Sequence, residues 1–400
     1  MKVIIVTNGL FPVPSTKGGG AETLVQDILD QNEKFHSADF VVYSIYDQEA
    51  VIKSDSYKFS EFRFLAKKKW TIRDIPYLLK HFYLKKLCGY TIYRCIYDFD
   101  EVLKELESET FDFIVIENTL VPFEKFVNIY SNKVFVHVHN ELFIPTLPQK
   151  QKELYGKLIN RCAGVITVSN YIKNLSLQMN TSEISKYYVL LNSVNVRKYK
   201  NHLDLGLKYK YNMKNEFVFT YFGRVCEEKG VLEIINAFSR MKEKKIRLMV
   251  IGELEETDNT YIRKIKNLIV NDNRIIVTGY ISHDELSKYL KLSNCAVLPS
   301  KCQDACPLTI IESMAAALPI ITTRVGGIPE IVTEKNAIII ENDKNLEDNL
   351  YISMQKILHN DELRNSMSYN SDMIANVDGF YDLNSFFERF INILKGNKNE

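Results

Sequence analysis

The stretch CAVLPSKCQDACPLTIIESMAAALPIIT, residues 295–322, contains two short apolar runs that flank a polar loop and a helical segment. The runs 295–298 and 319–322 have the length and apolar content typical of strands buried on both faces of a parallel sheet. The segment 308–317 between them is predicted to be helical. Strand, helix and strand in this order form one βαβ unit.

The same alternation extends along the chain in both directions and predicts two successive series of strands and helices. Two such series indicate an α/β fold with two doubly wound domains. We expect an N-terminal domain over 1–195, a C-terminal domain over 196–382 and a final helix over 383–400 that packs back toward the N-terminal domain. The polar segment 195–215 is the predicted linker. The predicted strands are Val3–Val6, Phe40–Tyr43, Phe113–Ile116, Val134–Val138 and Val165–Val168, then Phe217–Phe222, Arg247–Ile251, Ile275–Val277, Cys295–Leu298 and Pro319–Thr322.

The composition is that of an ordinary globular protein. Of 400 residues, 46% are hydrophobic and 25% are charged, which excludes a disordered or collagen-like chain. The 51 Lys and Arg residues nearly balance the 50 Asp and Glu residues, which gives a formal net charge of +1. This balance argues against general nucleic-acid binding, so no nucleic-acid partner is expected.

The cysteines and the apolar runs predict a cytoplasmic protein. Seven cysteines without a CxxC pair support neither a disulfide framework nor a zinc ribbon. No apolar run approaches the roughly 18 residues of a membrane-spanning helix. The chain begins on a predicted strand rather than a signal peptide, so we expect a reducing compartment.

The most informative residues lie just after predicted strands, where ligands bind in open parallel sheets. In the segment 304–312, Pro307 suits the first turn of a helix. The amides of Leu308 and Thr309 would then point out of a helix N-terminus, which readily binds anions. Glu312 lies about one turn further on among apolar residues, and a carboxylate there needs a partner. That partner can be the hydroxyl groups of a ligand or a neighbouring loop.

A second group of residues follows the first strand of the second series. Arg224 and Lys229 are five residues apart, between a strand and a helix, and can converge on a diphosphate. They can also be two solvated cations beside Glu227 and Glu228.

Two further features lie in the N-terminal domain. The glycines of 18–20 permit close approach of the backbone to a ligand and lead into a helix, although a plain turn has the same signature. His139 follows a predicted strand, where its ring can bind a ligand hydroxyl or have a structural role.

In combination these features resemble glycosyltransferase family 4. The resemblance covers most of the chain and is strongest over 217–332. It implies a retaining enzyme of the GT-B fold, in which two Rossmann-like domains face each other across a cleft. It also implies a nucleotide-sugar donor as substrate and no metal or other cofactor. The motifs that carry it are Gly-Gly-Ala-Glu at 19–22, His139, Gly-Arg and Lys-Gly at 223–230, the element from Asp304 to Glu312, and Gly-Gly-Ile-Pro-Glu at 326–330.

The resemblance implies a role for each residue of the donor site. Arg224 and Lys229 would hold the donor diphosphate and offset the charge of the leaving group. Leu308 and Thr309 would donate backbone amides to the same phosphates. Glu312 would bind the hydroxyls of the ribose.

It likewise implies roles for four further residues, two at the sugar and two at the diphosphate. Asp304 and His139 would contact the transferred sugar. Gly19 and Gly20 would line the diphosphate from the N-terminal domain. Arg224, Lys229, His139 and Asp304 are thus the predicted catalytic residues.

Three departures from the family pattern bear on these roles. Asp304 stands where the family usually has Glu and is one methylene shorter, which implies a different sugar position or weaker activity. Asn-Ser-Val-Asn at 192–195 replaces the usual Asn-Gly-Val-Asp, and Ala317 replaces a glycine. The last two changes are expected to be tolerated.

The implied reaction moves a hexose or N-acetylhexosamine from a nucleotide diphosphate sugar to a glycan or lipid-linked acceptor. A UDP-sugar is favoured, and polysaccharide biosynthesis of the bacterial surface or capsule type is the implied setting. Two alternatives remain open: a non-catalytic accessory subunit of a partner transferase, and a GT-B-fold epimerase. The presence of Arg224, Lys229 and Glu312 favours the transferase.

The segment 57–97 predicts peripheral attachment to an anionic membrane surface. It contains ten Lys or Arg residues and two acids, so 10 − 2 gives +8, and it contains eleven aromatic residues, including the only tryptophan, Trp70. Basic and aromatic side chains suit the lipid headgroup layer. A location on the inner face of the cell membrane follows, with a solvated basic face and a protein-docking surface as the alternatives.

Overall fold

The predicted apolar runs form the strands of two parallel sheets in the computed structural model of the chain, which describes residues 1–67, 97–143, 146–179, 181–200, 205–254 and 260–396. The first sheet contains Lys2–Val6 (β1), Asp39–Ile45 (β2), Ser60–Leu65 (β3), Phe113–Glu117 (β4), Val134–Val138 (β5), Gly164–Thr167 (β6) and Tyr187–Val189 (β7). The second contains Phe217–Phe222 (β8), Ile246–Ile251 (β9), Ile275–Gly279 (β10), Cys295–Leu298 (β11), Ile320–Thr323 (β12) and Ala337–Ile340 (β13).

Helices follow most of these strands, as the βαβ pattern requires. In the first half they are Gly20–Phe35 (α1), Gln48–Ser54 (α2), Phe99–Leu106 (α3), Phe123–Tyr130 (α4), Gln149–Arg161 (α5) and Asn170–Ser176 (α6). In the second half they are Val196–Tyr199 (α7), Leu205–Lys210 (α8), Val231–Ser239 (α9), Thr260–Asn271 (α10), His283–Leu290 (α11), Leu308–Ala315 (α12), Leu346–His359 (α13), Asp361–Ile374 (α14) and Leu383–Leu394 (α15). Short 3₁₀ turns occupy Ser131–Lys133, Ile184–Lys186, Glu227–Lys229 and Ile328–Glu330.

The central strands are apolar along their whole length because both of their faces are covered. Val3 to Val6 in β1 are all 0% exposed, and Ile114 to Ile116 in β4 are also 0% exposed. A strand with only one buried face would alternate apolar and polar side chains. The sequence prediction of α/β sheets is therefore confirmed.

The strand order places a topological switch point in each sheet. The first sheet runs β3-β2-β1-β4-β5-β6-β7, so the order reverses between β1 and β4. The second runs β10-β9-β8-β11-β12-β13 and reverses between β8 and β11. Ligands of open α/β sheets bind outside the carboxyl ends of the strands at such points.

The chain divides into two compact units that differ slightly from the predicted domains. One unit comprises Met1–Leu191 with Phe386–Glu400, and the other comprises Asn192–Ser385. The prediction placed the boundaries after residues 195 and 382. The predicted linker, 195–215, contains α7 and α8 in the part that the structure describes.

The C-terminal part of α15 belongs to the first unit and has a large apolar face. Phe386, Phe387 and Phe390 are at most 1% exposed, and the ring of Phe387 stacks on that of Phe35 in α1 with centroids 6.0 Å apart. These aromatic contacts anchor the segment to the first unit.

Three strands were absent from the sequence prediction. β3 contains Glu61 and Arg63, and the latter is ion-paired to Glu61, Glu105 and Glu109. An edge strand with charged side chains carries little apolar signal. β7 and β13 have only three and four residues and are also edge strands.

Most of the basic stretch 57–97 lies outside the described residues, since 68–96 are not described. Two of the basic and aromatic residues counted above lie in its described ends and contribute to the fold. Arg63 pairs with carboxylates, and Tyr97 is 0% exposed and donates a hydrogen bond to the carbonyl of Thr7. No helix in the described ranges is both long and apolar enough to cross a membrane.

Replacement of Ala317 by glycine is expected to stabilise the second unit. Ala317 follows α12 with φ at 58°, where a side chain costs about 1–2 kcal/mol. Glycine relieves this strain at an entropic cost of about 0.4–1 kcal/mol, so the free energy of unfolding should rise by about 0.5–1 kcal/mol. Urea titration measures the change. The matched variant Ala316→Gly, at φ −80°, should instead lose about 0.5–1 kcal/mol; equal effects of the two changes would contradict the strain argument.

Candidate functional site

The predicted donor-site residues of the second unit lie around its switch point. Gly223 and Arg224 directly follow β8, and the loop that follows β11 leads to Asp304. A Cβ atom at Gly223 would lie 3.9 Å from Cγ2 of Thr309, at the start of α12. The carboxyl ends of β8 and β11 and the N-terminus of α12 therefore share one neighbourhood.

The N-terminus of α12 has the features of an anion site. Pro307 is the N-cap residue and provides no side-chain hydrogen bond to the first turn. The amides of Leu308 and Thr309 lie in that turn, where backbone N–H groups have no intrahelical acceptor. Both residues are partly exposed, so these amides and the helix dipole can serve an anionic group.

Glu312 is buried within the same helix and has protein partners. Its side chain is 3% exposed, and Oε1 accepts a hydrogen bond of 2.8 Å from the hydroxyl of Tyr199. Nδ1 of His283 lies 3.3 Å from the same oxygen. Tyr199 from α7 and His283 from α11 thus provide partners for one oxygen of this carboxylate. Neither residue was predicted from the sequence.

The two predicted cations of this unit have different environments. Nζ of Lys229 contacts Oδ2 of Asp304 in an ion pair, and the hydroxyl of Ser300 lies 3.4 Å from the same oxygen. Arg224 is exposed, and its guanidinium forms no hydrogen bond or ion pair with any residue that the structure describes, although its backbone carbonyl accepts a hydrogen bond from the hydroxyl of Tyr221. Arg224 is therefore a cation available to a ligand, while Lys229 is held beside Asp304.

Close backbone contacts hold the loop that carries Asp304. A Cβ atom at Gly326 would lie 2.1 Å from the carbonyl oxygen of Asp304, and the amide of Gly327 donates to that oxygen at 2.8 Å. The side chain of Gln303 accepts a hydrogen bond of 2.7 Å from the amide of Gly326. The Gly-Gly pair at 326–327 is thus explained by packing against this loop.

Gly19 and Gly20 of the first unit differ in whether their backbone and surroundings would accept a side chain. Gly19 has φ at 100°, and a Cβ atom there would lie 2.3 Å from Oε2 of Glu22. Gly20 opens α1, and a Cβ atom there would have no neighbour within 4 Å. The fold therefore requires glycine at position 19 but not at position 20.

His139 lies in a buried polar cluster rather than at an open strand end. Its side chain is 8% exposed, and Nε2 lies 2.7 Å from Oε2 of Glu117 at the end of β4. Its backbone amide donates to the side chain of Asn118 at 3.1 Å. His137, which pairs in register with Glu117, places Nδ1 3.2 Å from the same carboxylate oxygen.

Burial and charge shift the pKa values in this cluster. Burial lowers the pKa of His139, which keeps the ring neutral. Burial opposes the ionisation of Glu117, but the two imidazoles outweigh it and hold the pKa of that carboxyl well below its usual range. Burial raises the pKa of Glu22, an effect that a backbone hydrogen bond to its carboxyl opposes.

The same three residues form the one group of metal-ligand type among the described residues. Ligand atoms of Glu117, His137 and His139 all lie within 4.8 Å of one another. Two imidazoles and a carboxylate are a set that divalent metals use. However, Nε2 of His137 and Nδ1 of His139 are buried without a hydrogen-bond partner, whereas metal-bound histidines usually donate their second N–H. The expectation that no metal is required remains a prediction.

The sequence signals for this cluster were incomplete. His139 was selected for its place after β5, but Glu117 and His137 were not. His137 lies within the predicted strand 134–138, and Glu117 directly follows the predicted strand 113–116 with no motif around it. Charged or titratable residues at the last positions of adjacent predicted strands are the signal that would have found them.

A family model matches most of the second unit. Residues 208–372 match the family model described as "Glycosyl transferases group 1". These residues hold β8 to β13 and all the predicted donor-site residues of that unit. Over this segment the chain is therefore similar to glycosyl transferases of group 1.

Two curated relatives match over about half of their length. The chain is 29% identical over 209 residues to an uncharacterized glycosyltransferase of Methanocaldococcus jannaschii, a match that covers 52% of each protein. It is 26% identical over 226 residues to the capsular polysaccharide biosynthesis glycosyltransferase CapM of Staphylococcus aureus, which covers 54% of this chain and 58% of CapM.

A solved structure has the same fold over nearly the whole chain. Anabaena HepE in complex with UDP and glucose aligns with a TM-score of 0.73 and 16% sequence identity, over 99% of this chain and 100% of HepE. This likeness shows that the fold is GT-B, as predicted.

The contrast between the two glycines of the first unit can be tested directly. Gly20→Ala should leave the free energy of unfolding unchanged or raise it by up to about 1 kcal/mol, since alanine favours the helix. Gly19→Ala should lower it by about 1–3 kcal/mol, because φ is positive there. Urea unfolding of both variants provides the measurement. A Gly20→Ala variant as unstable as Gly19→Ala would show that the space around position 20 is needed by the fold.

Proposed function

We propose that this protein is a group 1 glycosyltransferase of the retaining type. It moves a hexose or N-acetylhexosamine from a nucleotide diphosphate sugar, with a UDP-sugar favoured, to a glycan or lipid-linked acceptor. The observation that carries the proposal is the coincidence of the family match with the arrangement at the β8–β11 switch point. There an unpaired cation, the open N-terminus of α12 and a buried carboxylate lie on adjoining elements.

The diphosphate is proposed to bind between Arg224, Lys229 and the first turn of α12. The guanidinium of Arg224 has no protein partner among the described residues, so it can donate two parallel hydrogen bonds to one phosphate. The amides of Leu308 and Thr309 add neutral donors that bind phosphate without a metal. Accordingly, no metal cofactor is proposed for the reaction.

Glu312 is proposed to bind the ribose hydroxyls. Tyr199 and His283 both approach Oε1, so they fix the direction of the carboxylate and leave Oε2 for ligand hydroxyls. A buried carboxylate that is ionised gains strong hydrogen bonds from such donors.

Asp304 and His139 are proposed to contact the transferred sugar, and Gly19 and Gly20 to lie beside the donor diphosphate. The ion pair of Asp304 with Lys229 occupies Oδ2, and Oδ1 remains for a sugar hydroxyl. At Gly20 the open space around the backbone suits close approach of a ligand.

Charge stabilisation is the proposed source of catalysis. Negative charge grows on the diphosphate as the bond to the sugar breaks, and fixed cations and amides bind that charge most strongly in the transition state. The acceptor hydroxyl attacks from the face that the diphosphate leaves, which retains the configuration of the sugar.

The setting proposed is polysaccharide biosynthesis in the cytoplasm, at the inner face of the membrane. CapM and the lipopolysaccharide 1,2-N-acetylglucosaminetransferase of Salmonella typhimurium, 23% identical over 57% of its length, support a glycan acceptor. The complex of HepE with UDP and glucose supports a UDP-sugar donor. The charge of +8 over residues 57–97 supports attachment to anionic lipid.

The isosteric change Glu312→Gln tests the donor site. Loss of the charge on a hydrogen-bond acceptor should cost about 1.5–3 kcal/mol, so kcat/KM should fall at least about tenfold. The assay measures nucleotide release from UDP-hexoses and UDP-N-acetylhexosamines, with glycan and lipid-linked acceptors. Glu341→Gln, an exposed carboxylate paired with Arg324 in the same unit, is the matched control and should retain full activity. A kcat/KM of Glu312→Gln within about threefold of wild type would remove Glu312 from the site.

A further inference from the structure

The geometry of the polar cluster of the first unit, Glu117, His137 and His139, determines which ring nitrogen of His139 carries a proton. Oε2 of Glu117 lies 2.7 Å from Nε2 of His139, a normal hydrogen-bond distance. The imidazoles hold the carboxyl of Glu117 in its ionised form, and an ionised carboxylate only accepts hydrogen bonds. Nε2 of His139 must therefore carry the proton of this bond.

The other nitrogen of the same ring then has a lone pair. Burial keeps His139 neutral, and a neutral imidazole carries one N–H and one acceptor nitrogen. Nδ1 of His139 is buried and has no hydrogen-bond partner in the described structure. The ring thus holds an unused acceptor in a fixed direction.

The surroundings of His139 limit its freedom to turn. Its ring packs against that of His137 with centroids 4.0 Å apart. Its backbone amide is bound to the side chain of Asn118, which has a left-handed backbone with φ at 50° at the end of β4. His137 donates to the same carboxylate but is only 1% exposed, against 8% for His139. His139 is therefore the ring that a ligand can reach with the smaller displacement.

A second unused acceptor lies nearby on α1. Glu22 is 4% exposed, and its Oε1 is buried without a partner. A positive charge on the imidazole of His139 would lower the pKa of this carboxyl, so the two groups lie in one electrostatic neighbourhood. Buried acceptors without donors are unfavourable, and a ligand that carries several hydroxyl groups supplies the missing donors.

We propose that Glu117 is a positioning residue, which fixes His139 with Nδ1 as a hydrogen-bond acceptor for a hydroxyl group of a carbohydrate ligand. The identity of the ligand as a carbohydrate rests on the proposed function, whereas the orientation and tautomer of the ring do not. Glu117 itself does not touch the ligand and acts only through the imidazole.

The tautomer of His139 provides the first test, and it requires no substrate. Long-range ¹H–¹⁵N spectra of the full chain, labelled at histidine, distinguish a protonated Nε2 from a protonated Nδ1. The His139→Ala variant assigns the signal. We expect Nε2–H with a bare Nδ1 at pH 7.5. In Glu117→Leu, which removes the acceptor, the ring should become a mixture of tautomers, while Glu117→Gln should retain part of the wild-type signal. Glu105→Gln, a carboxylate bonded to Tyr43 in the same unit, should leave the spectrum unchanged.

Activity provides the second test through a double-mutant cycle. His139→Ala and Glu117→Leu should each lower kcat/KM roughly tenfold with UDP-glucose or the best UDP-sugar found, and the double variant should be no worse than His139→Ala alone. A residue with a purely structural role would give additive losses. Circular dichroism confirms that each variant is folded, and Glu117→Gln provides the conservative substitution if Glu117→Leu does not fold.

Four results would overturn the proposal. These are a protonated Nδ1 with a bare Nε2, a doubly protonated ring at pH 7.5, additive losses in the cycle, and one metal ion per purified chain that Glu117→Leu removes. A wild-type chain inactive with every nucleotide sugar would instead refute the proposed function, and the tautomer would still decide whether Glu117 positions the ring.

Discussion

The burial of parallel strands on both faces is the constraint on which the rest of this structure depends. Strands such as β1 and β4 lie between layers of helices and tolerate almost no polar side chain along their length. Chemically active groups are therefore confined to the residues at or just beyond the carboxyl ends. Glu117, His139, Arg224 and Asp304 all lie there, at the ends of β4, β5, β8 and in the loop after β11.

Groups confined to these positions are partly buried, and burial determines their chemistry. Glu312 and Glu117 are each less than 4% exposed, and each receives hydrogen bonds from side chains on neighbouring elements. A buried charge is tolerated only with such partners. The same partners hold each carboxylate in one direction, so a ligand meets a site that needs little reorganisation. Arg224 is the complementary case, because its side chain is exposed and its guanidinium has no described protein partner to give up.

The sequence predicted the parts of the fold that depend on apolar pattern. Five strands in each unit were identified because most of their residues are apolar, and α12 because Pro307 and the apolar residues after it mark a helix. β3 was missed because Glu61 and Arg63 interrupt the pattern at the sheet edge. The partners of the candidate site were missed for another reason. Tyr199 and Glu312 are 113 residues apart, and Glu117 and His139 are 22 apart, so their contacts depend on tertiary structure that a single sequence does not display.

Hydrogen exchange of the full chain tests most directly whether the second unit binds a nucleoside diphosphate at the N-terminus of α12. Exchange is measured by mass spectrometry with and without a saturating concentration of UDP, and then of GDP and ADP, because binding slows the opening of the backbone it contacts. We expect at least one nucleotide to protect the segments 223–230 and 304–312. Protection confined to the first unit, or unchanged exchange with all three nucleotides, would contradict it.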